Sequence, residues 1–296
     1  MAGPIAFDTV ETPHGRRENL VGGAATYFAL AARFFSQVAI VAAVGTDFPK
    51  LELDRLGTVG IDVEGVQVMP GKTFRWSGIY QQNMNLRDTI DLQINVFGSF
   101  QPEVPRRYRD SEACFLTNMD PALQLQLLQQ LRTPKLVGLD TMEHWIRDRR
   151  PQLLQVLRRV HFVIINEQEA LLLSGEDSLT KAAVEIFKLG PRHLFIKRGE
   201  EGALHFEFER EGAFEIRAYP VKKPLDPTGA GDAFAGAAMG YLAACGSLSP
   251  EDFQSAMEYG TVLGSFTVEQ FGVAGLRSID RGDIERRRKE LPTLVP

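Results

Sequence analysis

The run Asp226-Pro227-Thr228-Gly229-Ala230-Gly231-Asp232 sets two carboxylates, a hydroxyl and a Gly-Ala-Gly turn directly ahead of Ala233-Phe234-Ala235-Gly236-Ala237-Ala238-Met239-Gly240-Tyr241-Leu242. The second stretch is rich in small residues and predicts a helix, so the first is a loop feeding a helix N-terminus. Backbone N–H groups at such an end lack intrahelical partners, and the helix dipole is positive there. Gly229, Ala230 and Gly231 allow a bulky anion to approach that backbone closely. A phosphate fits the seat, whereas a fixed carboxylate beside it needs a purpose. Asp232 has one if it receives the proton of an incoming hydroxyl while the N–H groups neutralise charge on a transferring phosphoryl group. The alternative is structural: Asp232 caps the helix and the glycines only permit close packing. No Gly-Lys-Ser/Thr P-loop and no early G-x-G-x-x-G fingerprint accompanies the run.

The remaining sequence predicts elements that could hold such a turn in place. Short apolar, β-branched runs at 38–41, 135–139, 162–165 and 194–197 alternate with amphipathic segments of helical length. Asp120 before Pro121, Ser178 before Leu179, and Ser249-Pro250-Glu251-Asp252 are helix starts, and Gly190-Pro191 is a stop. Doubly buried strands joined by helices predict a mostly parallel sheet in an α/β/α arrangement. Residues 84–96 break the rhythm. Their even positions are apolar except Asp88 and their odd positions are all polar, which predicts a strand with one wet face. Residues 72–80 alternate similarly, with Phe74, Trp76 and Tyr80 on one side. Together they predict a small antiparallel sheet over about 72–98, inserted into one domain spanning 1–296; an edge extension of the main sheet is the alternative.

Composition narrows the partners. With 44% hydrophobic residues, 24% charged residues and a net charge of −5, the 296-residue chain is an ordinary globular one without the cationic excess that nucleic-acid binding needs. Two cysteines build no disulfide framework, and five scattered histidines make no zinc site. No secretory leader and no apolar run of membrane-spanning length is present, so the expectation is a soluble, cytoplasmic protein that binds neither nucleic acid nor membrane.

The string from Asp226 to Gly236 resembles, position by position, the C-terminal motif of the ribokinase-like (PfkB) carbohydrate kinases. That resemblance extends over nearly the whole chain and implies a three-layer α/β/α sandwich with a β lid. Gly22-Gly23 resembles the family's di-glycine substrate loop and Asp8 its sugar-binding aspartate, while Gly45-Thr46-Asp47 and Gly60-Ile61-Asp62 resemble a further family stretch. Asn166 and Glu169 resemble the residues that organise Mg²⁺, held through waters, and phosphate; a capped helix start is the alternative. The stretch from Lys197 through Gly199 to Gly202 resembles the strand and turn beside ATP, although Lys197 could equally snorkel from a strand end. Asp226 and Thr228, with carbonyls near Thr267, Gln270 and Gly272, would hold a monovalent cation such as K⁺, the alternative being a turn-forming Asp before Pro227. Gly260, with Gly264, implies a close approach by the sheet or by adenine, or crowding alone.

Several positions depart from the family pattern. Tyr27 stands where the di-glycine motif usually carries Asn, Asp140-Thr141-Met142 lacks an amide, and Gly3-Pro4 shortens the first strand, which then starts at Ile5 or is truncated. The resemblance implies transfer of the ATP γ-phosphate to a primary alcohol of a small sugar. Asp232 would be the base, Gly229, Ala230 and Gly231 the anion hole, and Asp8, Gly22, Gly23, Tyr27, Arg75 and Asn85 the acceptor side. A nucleoside is the alternative acceptor, since Tyr27, Phe74 and Trp76 suit a base ring. A non-catalytic sensor on the same fold is more remote. A homodimer through the lid is also expected.

Overall fold

A computed structural model describes residues 1–208, 210–246 and 248–291; the last five residues of the expected 1–296 domain therefore lie outside the described ones. The chain divides into two compact units. One comprises residue 1 and residues 3–101 and 219–291, and the other residue 2 and residues 102–218.

The first unit begins with β1 (Ala6–Thr12), β2 (Gly15–Gly22), α1 (Ala24–Ala32), β3 (Val38–Gly45), α2 (Lys50–Thr58), β4 (Ile61–Met69), β5 (Phe74–Tyr80) and β6 (Arg87–Gln93). β3 and β4 pair in parallel. The other four form a sheet in the order β2-β1-β5-β6. The β5–β6 pair is antiparallel, as the alternation predicts. The sheet as a whole is mixed, because β1 runs antiparallel to β2 but parallel to β5. The small sheet expected over 72–98 thus also includes strands from the start of the chain.

Pro4 explains where β1 starts. Gly3 donates to the Val41 carbonyl at 3.3 Å, and the carbonyl of Pro4 accepts the Ala25 N–H at the head of α1. Proline has no N–H to add to a ladder, so β1 begins after it, at Ala6. The expectation for 84–96 needs correction. β6 covers only Arg87–Gln93 and is exposed at every position, whereas residues 95–99 turn into a 3₁₀ segment that buries Val96 and Phe97.

The second unit holds β7 (Ala113–Leu116), α3 (Pro121–Gln130), β8 (Leu136–Leu139), α4 (Glu143–Asp148), α5 (Arg150–Leu157), β9 (Phe162–Asn166), α6 (Glu167–Ser174), α7 (Leu179–Lys188), β10 (His193–Lys197), β11 (Ala203–Glu207) and β12 (Phe214–Ile216). Its sheet runs β12-β11-β10-β9-β8-β7. Strands β7 to β10 are parallel and the last two antiparallel. Phe162, Val163, Ile164 and Ile165 have no exposed surface, as expected for a strand covered on both faces. Asp120 accepts the Ala122 N–H at 2.8 Å and Ser178 the Lys181 N–H, so both predicted caps form.

The chain closes the first unit with α8 (Ala230–Cys245), α9 (Pro250–Val268), α10 (Ala274–Arg277) and α11 (Arg281–Lys289). Small residues on α8 permit its close approach to α1: a Cβ at Gly236 would lie 2.2 Å from the Phe28 carbonyl oxygen. Among the described residues no helix is long and apolar enough to cross a membrane.

Candidate active site

The first unit gathers its polar groups around the N-terminus of α8. Gly229 caps that helix in a left-handed conformation, with φ 77 and ψ −1, a geometry that disfavours any side chain. Its carbonyl accepts the Ala233 N–H at 2.8 Å, opening the helical ladder. The Ala230 N–H instead donates back to the Pro227 carbonyl at 3.2 Å, so within the Gly-Ala-Gly turn this donor is already engaged in the structure. Asp232 lies in the first helical turn, half-buried, where a carboxylate is favoured by the dipole.

Asp8 faces the same place from β1. The β1–β2 ladder shifts register between Asp8 and Val10, and Asn19 opposite takes a positive φ of 53. Asp8 is 3% exposed, and its Oδ2 accepts the Gly23 N–H at 3.3 Å. A Cβ on Gly22 would lie 1.9 Å from that same oxygen, which explains the first glycine of the pair. Gly23 has φ 82, and a Cβ there would meet the Pro4 carbonyl oxygen at 2.5 Å. Burial, together with the Asp226 and Asp232 carboxylates, pushes the Asp8 pKa up to about 7, against the pull of the Gly23 N–H and Arg87. Asp8, Asp226 and Asp232 therefore share one electrostatic neighbourhood.

Two tyrosines complete it. The Tyr27 ring lies against Gly229, where an added Cβ would sit 2.3 Å from Cγ and Cδ1. Its hydroxyl is buried and has no hydrogen-bond partner. Burial first, then Asp8, Asp226, Tyr80 and Asp232, hold the Tyr27 phenol far above its ordinary pKa, so it stays protonated. The Tyr80 hydroxyl accepts from Thr228 Oγ1 at 3.2 Å and also bonds Arg87; burial pushes its pKa up to about 12.

Arg87 replaces Arg75 in this cluster. Arg75 pairs with Phe7 in the ladder, places its guanidinium over that ring at 4.8 Å, and binds Asp47 at 3.2 Å and Asn19 at 2.6 Å. Asp8 pairs with the next position, Trp76, and so faces the other side. Arg87 pairs with Tyr80 across β5–β6. The register jumps between Ser77 and Gly78, leaving Ile90 unpaired, and this bulge moves odd-numbered Arg87 and Thr89 onto the face of Trp76 and Tyr80. Asn85 is exposed in the β5–β6 turn, its N–H bonded to Asn83 Oδ1 at 3.0 Å. Periodicity places Tyr80 on the face of Trp76 but gives neither it nor Arg87 a part in the site. Their types were visible; the bulge that aligns them was not.

The expected monovalent-cation group is brought together only in part. Asp226 is fully buried, its two carboxylate oxygens accepting the Thr228 and Gly272 N–H groups, each at 2.9 Å. Burial raises its pKa against those bonds. This clamp is the turn-forming reading realised. Thr267 turns its hydroxyl back to the Leu263 carbonyl within α9, and the Gln270 N–H donates to the Thr267 carbonyl at 3.4 Å. At Gly260 a Cβ would lie 2.7 Å from the Phe234 ring, so crowding between α8 and α9 accounts for the glycine.

In the second unit, the motif residues sit at the carboxyl ends of β8, β9 and β10, where open parallel sheets bind ligands. Asn166 and Glu169 form a reciprocal capping box on α6, with both bonds at 2.8 Å. Lys197 pairs with Asn166 in the ladder and extends to Asp140 Oδ2 at 3.5 Å. Burial raises the Asp140 pKa against that ammonium. The Thr141 hydroxyl beside it is buried without a partner. Gly199 turns the chain at φ 58, and Gly202 lies so close to β12 that a Cβ would be 1.9 Å from the Ile216 carbonyl oxygen. Among the described residues no three His, Cys, Asp or Glu side chains form a metal cluster. The oxygen donors Asn166 and Glu169 fit Mg²⁺ only in its usual manner, through waters and substrate phosphates.

Comparison with known proteins places this arrangement. Residues 6–279 match the model of the pfkB family carbohydrate kinases. A cytidine kinase from Thermococcus kodakarensis is 36% identical over 249 residues, covering 81% of this chain and 86% of that protein. A nucleoside kinase from Burkholderia thailandensis in complex with inosine superposes with a TM-score of 0.79 at 20% identity, over 98% of this chain and 96% of that one. A putative ribokinase II from E. coli in complex with ATP and Mg²⁺ gives 0.77 at 22% identity, over 98% of both chains. The fold is therefore the ribokinase fold expected from the sequence. The chain belongs to the pfkB family of carbohydrate kinases and is an ATP-dependent phosphotransferase with an alcohol as acceptor.

Proposed function

We propose that the acceptor is a nucleoside, phosphorylated at the primary hydroxyl of its ribose. The observation that carries this reading is the 36% identity to a cytidine kinase over 249 residues. The acceptor face supports it: Trp76 and Tyr80 share a face of β5 with Asp8 beside them, the Arg87 guanidinium lies 5.3 Å from the Trp76 ring, and Trp76 donates from Nε1 to Thr89 Oγ1 at 3.2 Å. An aromatic surface flanked by hydrogen-bonding groups suits a planar base as well as a sugar.

Asp8 accepts hydrogen bonds from ribose hydroxyls, supported by Gly22 and Gly23. Asp232 receives the proton of the primary hydroxyl as its oxygen forms the new P–O bond and the bond to the ADP leaving group breaks. ATP supplies the phosphoryl group, and the N-terminus of α8 stabilises the charge that moves with it. Mg²⁺, when bound, neutralises phosphate oxygens. Asn166 and Glu169 would hold it through waters, and Lys197 would add a cation at the neighbouring strand end. Holding these groups in place accounts for most of the rate, since phosphoryl transfer asks little covalent chemistry of the protein.

A free pentose is the second reading, favoured by the likeness to the putative ribokinase II. Turnover of cytidine, uridine, inosine, adenosine, ribose and deoxyribose with Mg-ATP separates the two. Nucleoside 5′-monophosphate is the expected product. Turnover of ribose alone would replace the acceptor, and turnover of none would rule out both readings of it.

A further inference from the structure

The turn that opens α8 is fastened in two ways. Toward α9 the fastening is backbone and carboxylate. The Leu225 and Asp226 N–H groups donate to the Val268 carbonyl at 2.7 and 3.2 Å, and the Asp226 carboxylate clamps the Thr228 and Gly272 N–H groups. The second fastening comes from the sheet that carries Asp8. Thr228 Oγ1 donates to the Tyr80 hydroxyl at 3.2 Å, a buried bond between residues 148 apart in the chain. Ser265 and Thr267 show the usual alternative, turning their hydroxyls back to carbonyls of their own helix. A bond between two side chains from distant elements instead orders both, and it has two discrete states, made or broken.

Tyr80 ends β5 and is buried; burial pushes its pKa up to about 12, so the phenol is neutral and acts through hydrogen bonds alone. The same hydroxyl bonds Arg87, its ladder partner on β6. The Arg87 guanidinium lies 5.3 Å from the Trp76 ring and pulls the Asp8 pKa down against burial. One phenol oxygen therefore joins the face of Asp8 and Trp76, through Arg87, to Thr228. That threonine directly precedes the left-handed Gly229 at the head of α8.

We propose that Tyr80 is a positioning residue for the transfer: by holding Thr228 it ties the phosphate-binding turn to the acceptor sheet, so that an acceptor on that sheet and a triphosphate at the turn favour each other's binding. Tyr80 acts through Thr228 and touches neither reacting group. This coupling rests on the acceptor and donor places proposed above, and not on the choice between nucleoside and pentose. By linkage it is reciprocal, each ligand tightening the other by the same factor.

Calorimetry on the full chain tests it, with cytidine and a non-hydrolysable ATP analogue in Mg²⁺ buffer, each titrated alone and with the other at saturation. The expected wild-type result is a mutual tightening of at least about fivefold, equal in both directions. Tyr80→Phe removes only the oxygen. Each ligand alone should bind it within about twofold of the wild type, while the mutual factor falls below about two and acceptor kcat/KM drops about fivefold. Thr228→Val should lose the mutual factor likewise, and Thr228→Ser, which keeps the hydroxyl, should retain it. A bond that served stability alone would lower the melting temperature of Tyr80→Phe and leave the mutual factor untouched. That result, or a wild type that binds the two ligands independently, overturns the proposal. The Thr228 pair decides the matter even if Tyr80→Phe does not fold, since equal factors in Thr228→Val and Thr228→Ser also overturn it. Ribose replaces cytidine in the same titrations if cytidine is not turned over. A wild type that binds neither compound removes the acceptor reading itself, and the coupling with it.

Discussion

The two units differ in how far their motif residues are engaged by the surrounding fold. In the second unit Asn166 and Glu169 cap α6 reciprocally and Lys197 reaches Asp140, although the Thr141 hydroxyl beside it is unmet. In the first unit the groups around α8 crowd several carboxylates and buried hydroxyls together. Asp8 is buried beside two other carboxylates, Gly229 and Gly23 hold positive φ angles, and the Tyr27 hydroxyl is unmet. Locally unfavourable groups persist where a ligand or a reaction uses them, while self-satisfied groups also stabilise the apo fold. In the function proposed above, the acceptor chemistry belongs to the first unit and a supporting, partly structural part to the strand ends of the second.

Substitutions that act on one unit and not the other sharpen this contrast. The largest effect is expected from Asp232→Asn, which keeps the shape and removes the base. Steady-state kinetics should show kcat lowered by about 10²–10⁴-fold, with calorimetric affinity for an ATP analogue near that of the wild type. A loss of less than tenfold would mean that Asp232 serves only the helix.

A smaller effect attaches to Asp8. Its pKa stands at about 7 rather than 3.8, chiefly through burial, so it is largely protonated below neutrality and ionised above it. The ionised form accepts hydroxyl hydrogen bonds better, so acceptor KM should fall about tenfold between pH 6 and 8, one unit of pKa being about 1.4 kcal/mol. Asp8→Asn should abolish that slope. The stability contribution has the opposite sign. A raised folded-state pKa means that the fold gains from protonated Asp8 below pH 3.8, and loses that gain progressively as pH rises through about 7. A KM profile flat in the wild type would separate Asp8 from acceptor binding.

The smallest effect belongs to the second unit. Asn166→Ala removes a helix cap and should cost about 1 kcal/mol in chemical denaturation, with a modest rise in the Mg²⁺ concentration needed for half-maximal rate. A kcat loss as large as that of Asp232→Asn would erase the distinction between the units.

Much of this was legible in the sequence where the determinants are local. The Asp226–Asp232 turn, the helix caps at Asp120, Ser178 and Ser249, and the buried strand at 162–165 each depend on a few neighbouring residues, and each forms. What escaped depends on pairing between distant strands. Arg75 and Arg87 both occupy polar positions of alternating strands, and only the bulge at Ile90 and the β1–β5 register decide which one shares the face and the electrostatic surroundings of Asp8. The parallel pairing of β1 with β5, which turns the lid into a mixed sheet, is likewise invisible to periodicity. Asn166 and Glu169 illustrate a different limit, since the same spacing writes a capping box and a water-held ion site, and one does not preclude the other. Gly229 and Gly22 show the converse case. Their need for glycine follows from the Tyr27 ring and the Asp8 carboxylate, partners far away in sequence.

A crystal structure of the enzyme with cytidine and a non-hydrolysable ATP analogue examines the central claim most directly. The account predicts the Asp232 carboxylate within about 2.6–3.2 Å of the ribose primary hydroxyl, with Asp8 on the other ribose hydroxyls and the terminal phosphate at the head of α8. A bound acceptor whose primary hydroxyl is turned away from Asp232, or a triphosphate seated elsewhere than at Gly229–Gly231, would contradict it.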